Sequence, residues 1–215
     1  MLTVSLTLSA CGGAIPESSH RAVLQRSSAY IPPRPTEGQC LSDLGAKAAG
    51  FTPLPDQYYG AGCATFNAVR LASLSGDNQS FNVSNLGPVT CPLANTFAGW
   101  ARFGVDRAAR TILGSPLVRI ETMGSYSCRN VAGTEKRSAH ATGNAIDVAA
   151  FVLANGRRIT VLNGWNSADP AERDFLHTIH QSACRRFGTT LGPDFNAAHR
   201  NHIHVDIMSN GYYCR

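Results

Sequence analysis

Between residues 91 and 113, Leu93, Phe97, Trp100, Phe103 and Ala108 recur at helical spacing, which predicts one long helix with a single buried face. Thr90 is placed to cap it, and Pro92 falls in the first turn, where proline is tolerated. Gly114 and Pro116 end it. Residues 117–123 alternate apolar and polar side chains up to Gly124, the period of a strand. Residues 144–162 read as a hairpin that turns at Asn155-Gly156, two positions that accept positive φ. Asp169-Pro170-Ala171-Glu172 resembles a capping box with proline at the first helical position, and its helix should run to about Phe187, before Gly188. Residues 203–208 form a last strand. Upstream, residues 41–49 suit a short helix with Gly50 as its C-cap. Residues 51–90 are rich in Gly, Pro, Asn and Ser and read as loops, with short strands near 68–74 and 81–83. Strands and helices do not alternate regularly, so the pattern predicts an α+β fold: a mainly antiparallel sheet flanked by helices.

Composition narrows the class. The 215 residues are 43% hydrophobic and only 15% charged, enough for one well-buried domain and too apolar for a disordered chain. The net charge of +5 invites polyanions, but the basic residues are scattered, with Arg157-Arg158 and Arg185-Arg186 the densest pairs. No basic stripe interleaved with aromatics exists, so nucleic acid is not an expected partner. The first ten residues are uncharged, mostly apolar and too short to span a bilayer; they fit the end of a secretory signal. Leu8-Ser9-Ala10-Cys11 reads like a bacterial lipobox, whose cysteine becomes lipidated. Residues 11–39 then form a Pro- and Ser-rich tether, and residues 40–215 the folded domain. His20 falls in the tether and has no expected role. With Cys11 set aside, Cys40, Cys63, Cys91, Cys128, Cys184 and Cys214 can form three disulfides, suited to an oxidising compartment such as the periplasm. Their pairing is open, and no CxxC motif suggests a thiolate metal site.

Two segments carry chemistry. One runs from Ser138 to Asp147 and contains His140 and Gly143; the other is His199-Arg200-Asn201-His202-Ile203-His204-Val205-Asp206. In a strand, His202 and His204 project from the same face. Two adjacent imidazoles make sense if one binds a metal and the other handles protons, with His199 close by at the strand entry. A neutral imidazole and the Asp147 carboxylate are good zinc ligands, and two histidines plus a carboxylate with a fourth position open is a common catalytic arrangement. Asp206 either holds an imidazole tautomer or simply ends the strand. Asp194 is expected to serve a Gly-Pro-Asp turn, and His177 and His180, three apart on the late helix, read as structural.

The HxxxxxxD segment followed by HxH resembles the superfamily of lysostaphin-type and D-alanyl-D-alanine metallopeptidases and the hedgehog signalling domain. Ser125-Tyr126-Ser127-Cys128-Arg129, the His140–Asp147 segment and the run from Leu191 to Asn196 into the histidines resemble the bacterial extensin-like C-terminal domain family. That resemblance implies a hedgehog/DD-peptidase-like zinc fold, with His140, Asp147 and His204 as ligands to Zn2+. It implies His202 as the non-ligand histidine at the reacting centre, His199 beside it, and Arg129 as an oxyanion or carbonyl contact. The expected activity is hydrolysis of amide bonds in peptidoglycan stem peptides or crosslinks. The expected setting is the periplasm, with a lipid anchor at Cys11 in the outer membrane, to which Gly12 is suited. No carboxylate stands at 199–202 to act as general base, so proton transfer falls to His202. The same gap leaves an alternative: a non-catalytic, zinc-containing envelope-binding domain. A proline-rich structural wall protein has no support in the composition.

Overall fold

The computed structural model describes residues 35–47, 50–208 and 211–215. The expected signal segment 1–10, Cys11 as the expected anchor, His20 and residues 11–34 of the expected tether lie outside the described residues. A helix, α1 (Pro35–Gly45), opens the described chain. It begins inside the expected tether and stops before Gly50, which starts β1 (Gly50–Pro53) instead of capping a helix. Pro35 at the first helical position and Glu37 in the first turn favour this earlier start. The Cys40–Cys91 disulfide then fixes α1 to the head of the next helix.

Residues 51–90 hold more strand than the pattern predicts: β2 (Gln57–Gly60), β3 (Cys63–Thr65), β4 (Ala68–Ser75), β5 (Ser80–Ser84) and β6 (Pro88–Thr90). Three of these are too short for a two-residue period to show. Their turns use Gly60, Ala61, Gly62, Asn67 and Asn85 at positive φ.

The long helix is continuous but not uniform. It comprises α2 (Cys91–Trp100), a π-helical segment (Ala101–Asp106) and α3 (Arg107–Leu113), ended by left-handed Gly114. The wider turn rotates the side chains out of the α phase. Phe103, expected in the buried stripe, is 45% exposed and lies between the guanidinium groups of Arg102 and Arg107. Asp106 is turned inward, where it accepts from Leu117 N–H and pairs with Arg110. Thr90 stands at the cap position, yet its side chain accepts no helix N–H; its hydroxyl donates to Asn144 Oδ1 at 2.8 Å instead.

β7 (Leu117–Gly124) precedes a hairpin of β8 (Ala145–Leu153) and β9 (Arg158–Thr160). That hairpin is shorter than expected, because Thr160 caps a helical turn, α4 (Val161–Gly164). Asp169 caps α5 (Pro170–Cys184) by accepting from Ala171 N–H. The reciprocal half of the capping box is absent, since Glu172 accepts from Arg157. The helix also stops before Phe187. The chain ends with β10 (Thr189–Leu191), β11 (Ile203–Asp206) and β12 (Tyr213–Cys214).

Ten strands form one sheet in the order β1-β4-β5-β7-β8-β11-β10-β12, with β6 beside β4 and β9 beside β8; β2 and β3 are a separate hairpin. Only the β5–β7 and β10–β12 pairs are parallel. The α+β class with a mainly antiparallel sheet is therefore as the pattern predicts. Trp100, Phe151, Phe175 and Phe187 meet edge to face where the helices cover the sheet, and Trp100 Nε1 donates to Ile179 O.

Two features of this frame position the site. β8 leaves Ala149 unpaired against β7, a bulge that switches side-chain parity. Ile146 and Val148 before it and Phe151 and Leu153 after it thus all enter the core, while Asp147 turns to the other face. On β11, Ile203 and Val205 enter the same core, so His204 and Asp206 also face away. The antiparallel register sets His204 directly opposite Asp147.

Candidate metal centre

His140 reaches this pair from a 3-10 turn (Ala139–Thr142) that precedes β8. Ser138 caps the turn by accepting from His140 N–H, and Gly143 ends it at φ 65°. That left-handed φ is strained for any side chain, which favours glycine where the turn passes β6.

His140 Nε2 lies 3.2 Å from His204 Nδ1 and 3.2 Å from Asp147 Oδ2, and His204 Nδ1 lies 2.8 Å from Asp147 Oδ1. The two imidazoles and the carboxylate, all buried, thus converge on one point. Each imidazole is fixed by its other nitrogen. His140 Nδ1 donates to Ser125 O at 2.6 Å, and His204 Nε2 donates to Asp206 Oδ2 at 3.2 Å. In the neutral tautomers this leaves lone pairs on His140 Nε2 and His204 Nδ1, facing each other and a carboxylate. That arrangement is repulsive until a cation sits among the three atoms. Two nitrogens and one oxygen, each imidazole backed by a hydrogen-bond acceptor, form a donor set that can hold a metal ion.

The electrostatics agree. Burial opposes charge on His204, but hydrogen bonds to Asp147 and Asp206 override it and push the imidazole up to about 9. Burial would also raise Asp147, yet His140 and His204 hold its carboxyl well below the usual carboxylate range. Without metal, a proton takes the cation's place.

His202 and His199 stand beside these ligands. His202 Nδ1 donates to Asn201 Oδ1 at 2.9 Å, and its Nε2 lies 3.6 Å from Asp147 Oδ1. His199 Nδ1 donates to Asn196 Oδ1 at 2.8 Å, an oxygen that also accepts from Ala198 N–H. The two rings are 5.0 Å apart. Burial lowers His202, with the attraction of Asp147 only partly opposing it. Burial, then the charges of His202 and His204, brings His199 down to about 4. Both are therefore neutral bases at pH 7. Arg129 is exposed, and its charge contributes to lowering both histidines.

The structure thus brings together His140, Asp147, His204, His202 and His199, with Arg129 at the rim. Asp206 does both things left open for it: it accepts from His204 and, at the strand end, from Met208 N–H. Asp194 lies in the expected Gly-Pro-Asp turn, closed by Phe195 N–H donating to Gly192 O, and its carboxylate also accepts from Trp165 Nε1 across the fold. His177 stacks on Trp165, and His180 donates to Arg215 O, both structural. A second group, His180, Cys184 and Cys214, is close enough to hold an ion, but its sulfurs are joined in a disulfide and offer no thiolate. Three contributors were missed: the carbonyl of Ser125 and the side chains of Asn196 and Asn201. A backbone carbonyl has no sequence signature, whereas an asparagine beside each of two clustered histidines was a usable hint.

All six remaining cysteines pair, as Cys40–Cys91, Cys63–Cys128 and Cys184–Cys214. No helix among the described residues is long and apolar enough to cross a membrane. Searches of curated proteins and of solved structures find no match. A family model does match, that of the extensin-like protein C-terminus, over residues 38–215, and the chain belongs to this family.

Proposed function

We propose that this chain is a zinc-dependent peptidase that hydrolyses amide bonds of peptidoglycan stem peptides or their crosslinks. The proposal places it with the lysostaphin-type and D-alanyl-D-alanine metallopeptidases. The observation that carries it is the convergence of His140 Nε2, Asp147 and His204 Nδ1, with both imidazoles fixed from behind. A zinc ion held there supplies Lewis acidity towards an amide carbonyl and towards water.

The chain's own residues supply the rest. Asn201 holds the proton of His202 on Nδ1, which leaves Nε2 as a base beside the ligands. His202 can thus take a proton from an attacking water and return it to the leaving amine. Burial, aided by the charges of His204, His140 and Arg129, keeps that base uncharged, and neutral His199 stands 5.0 Å from it between ring centroids. Arg129 offers a cation to a substrate carbonyl or carboxylate at the solvent edge. Three disulfides suit an oxidising compartment, and with the lipobox they support a lipid-anchored periplasmic protein.

The test is to incubate purified protein with murein sacculi, with and without chelator. New muropeptides that disappear with chelator and return with zinc support the reading; equal products in both samples contradict it. One observation favours a second reading, a non-catalytic envelope-binding domain. The carboxylates at the centre are already engaged, Asp147 with the ligand histidines and Asp206 with His204 and Met208 N–H. His202→Ala separates the two: a peptidase keeps its zinc and loses turnover, whereas a binding domain keeps its envelope affinity.

A further inference from the structure

Next to the metal centre a groove of about 380 Å³ lies between the β2–β3 hairpin and residues 142–144. Tyr58 and Phe66 line it from the hairpin side, 68% and 49% exposed, and Met208, 59% exposed, lines it as well. Large apolar side chains held open to solvent in one place mark a binding surface. Besides the Tyr58 hydroxyl, the polar lining consists of Thr90, Thr142 and Asn144, and these three hydrogen-bond one another or the backbone. Thr90 donates to Asn144 Oδ1, Asn144 Nδ2 donates to Thr142 Oγ1, and Thr142 donates to Ala139 O. Among the described residues, no charged side chain lines the groove. An ion placed there would lose hydration without gaining a charged partner, whereas an apolar group would not.

The groove is continuous with the metal centre along the chain. Thr142 and Asn144 lie between the ligands His140 and Asp147, and Met208 follows His204 and Asp206. Two Cα steps of about 3.8 Å bound the separation of His140 and Thr142. The hairpin wall is also tied to the site. Cys63 is bonded to Cys128, Tyr59 packs on Tyr126 at 4.9 Å between ring centroids, and Arg137 Nε donates to Ala61 O at 2.6 Å. The same loop starts at Ser125, whose carbonyl orients His140.

We infer that this groove is a specificity subsite for an uncharged, apolar side chain of the ligand whose carbonyl or chelating group sits at the metal centre. This rests on the metal-centre reading above. A ligand anchored there directs its adjoining segment along residues 142–144 and lays an aliphatic or aryl group against Phe66, Tyr58 and Met208. Gly62 and Ala64, also in the lining, keep the space open.

Hydroxamates test this without knowledge of the natural substrate, because the head group chelates zinc and the tail can be varied. Calorimetry on the zinc-loaded full chain compares acetohydroxamate, octanohydroxamate and an eight-carbon hydroxamate ending in a carboxylate. Octanohydroxamate is expected to bind on the order of tenfold tighter than acetohydroxamate, and the carboxylate tail to lose that gain. Phe66→Ala and Tyr58→Ala should remove the tail's contribution and leave acetohydroxamate affinity unchanged; both side chains are exposed enough for the fold to survive. Equal affinity for the short and long tails, or a tail gain untouched by both substitutions, overturns the subsite while the metal centre stands. Failure of acetohydroxamate to bind the zinc-loaded chain overturns the metal-centre reading and the subsite with it.

Discussion

Each of the four clustered histidines is held through one nitrogen, and that is what makes their chemistry specific. Ser125 O, Asp206, Asn201 and Asn196 take the N–H groups of His140, His204, His202 and His199, and the opposite nitrogen is left for metal or proton. Asp206→Asn should therefore weaken zinc binding about 10- to 100-fold with the three ligands intact, measured by competition with a chromophoric chelator. His202→Ala should keep one zinc per chain yet lower turnover of muropeptides by about 10²- to 10⁴-fold. His204, raised to about 9, must lose its proton when zinc binds. Zinc affinity is then expected to rise with pH up to about 9, with proton release visible by calorimetry in buffers of different ionisation enthalpy. The metal-free protein should show the matching stability trend. The raised imidazole stabilises it fully below the unfolded value near 6.5, and that contribution fades as pH climbs through about 9. A melting temperature of the apoprotein that is flat from pH 6 to 9 would argue against this assignment. The grouping of His140, Asp147 and His204 was legible, because imidazoles and a carboxylate are metal-ligating side chains. Of their supporting atoms, the Ser125 carbonyl was not legible, because it is backbone, whereas Asn196 and Asn201 left a hint in their nearness to His199 and His202.

Elements long enough to show a period were readable; short ones were not. β7 falls where alternation predicts, β8 and β11 lie within the segments expected for a hairpin and a last strand, and the Asn155-Gly156 turn joins β8 to β9. β2, β3, β6, β10 and β12 span two to four residues each and are defined by their partners rather than by their own pattern. The helix over 91–113 exists, but its π-helical segment breaks the spacing, which is why Phe103 is exposed and Asp106 buried. That wide turn also brings Gly104 against α5: a Cβ there would sit 2.5 Å from Ser182 Oγ and 2.9 Å from Trp100 Cδ1. Gly104→Ala is accordingly expected to destabilise the fold by about 1–3 kcal/mol through overpacking, read by denaturant unfolding, and to leave zinc content unchanged. No loss of stability would mean that the two helices are packed more loosely than described.

At the scale of the whole molecule, the sheet register and the disulfides hold the site together. The Ala149 bulge lets β8 bury its apolar residues while presenting Asp147 to His204 across the strand pair. Cys63–Cys128 ties the β2–β3 hairpin to the loop that orients His140, and Cys184–Cys214 ties β12 to α5. Removing the latter with a Cys184→Ser/Cys214→Ser double substitution should cost about 2–5 kcal/mol of unfolding free energy with zinc retained. Zinc lost together with that disulfide would place a ligand in the His180 cluster instead. The pairing of the cysteines was not legible, since six allow many combinations and only the fold brings partners within reach. The most direct measurement is anomalous diffraction at the zinc edge from crystals of the full chain grown with zinc. A single peak bounded by His140 Nε2, the Asp147 carboxylate and His204 Nδ1 is the predicted result. An absence of density at that point, or a peak elsewhere that leaves these three side chains uncoordinated, would contradict it.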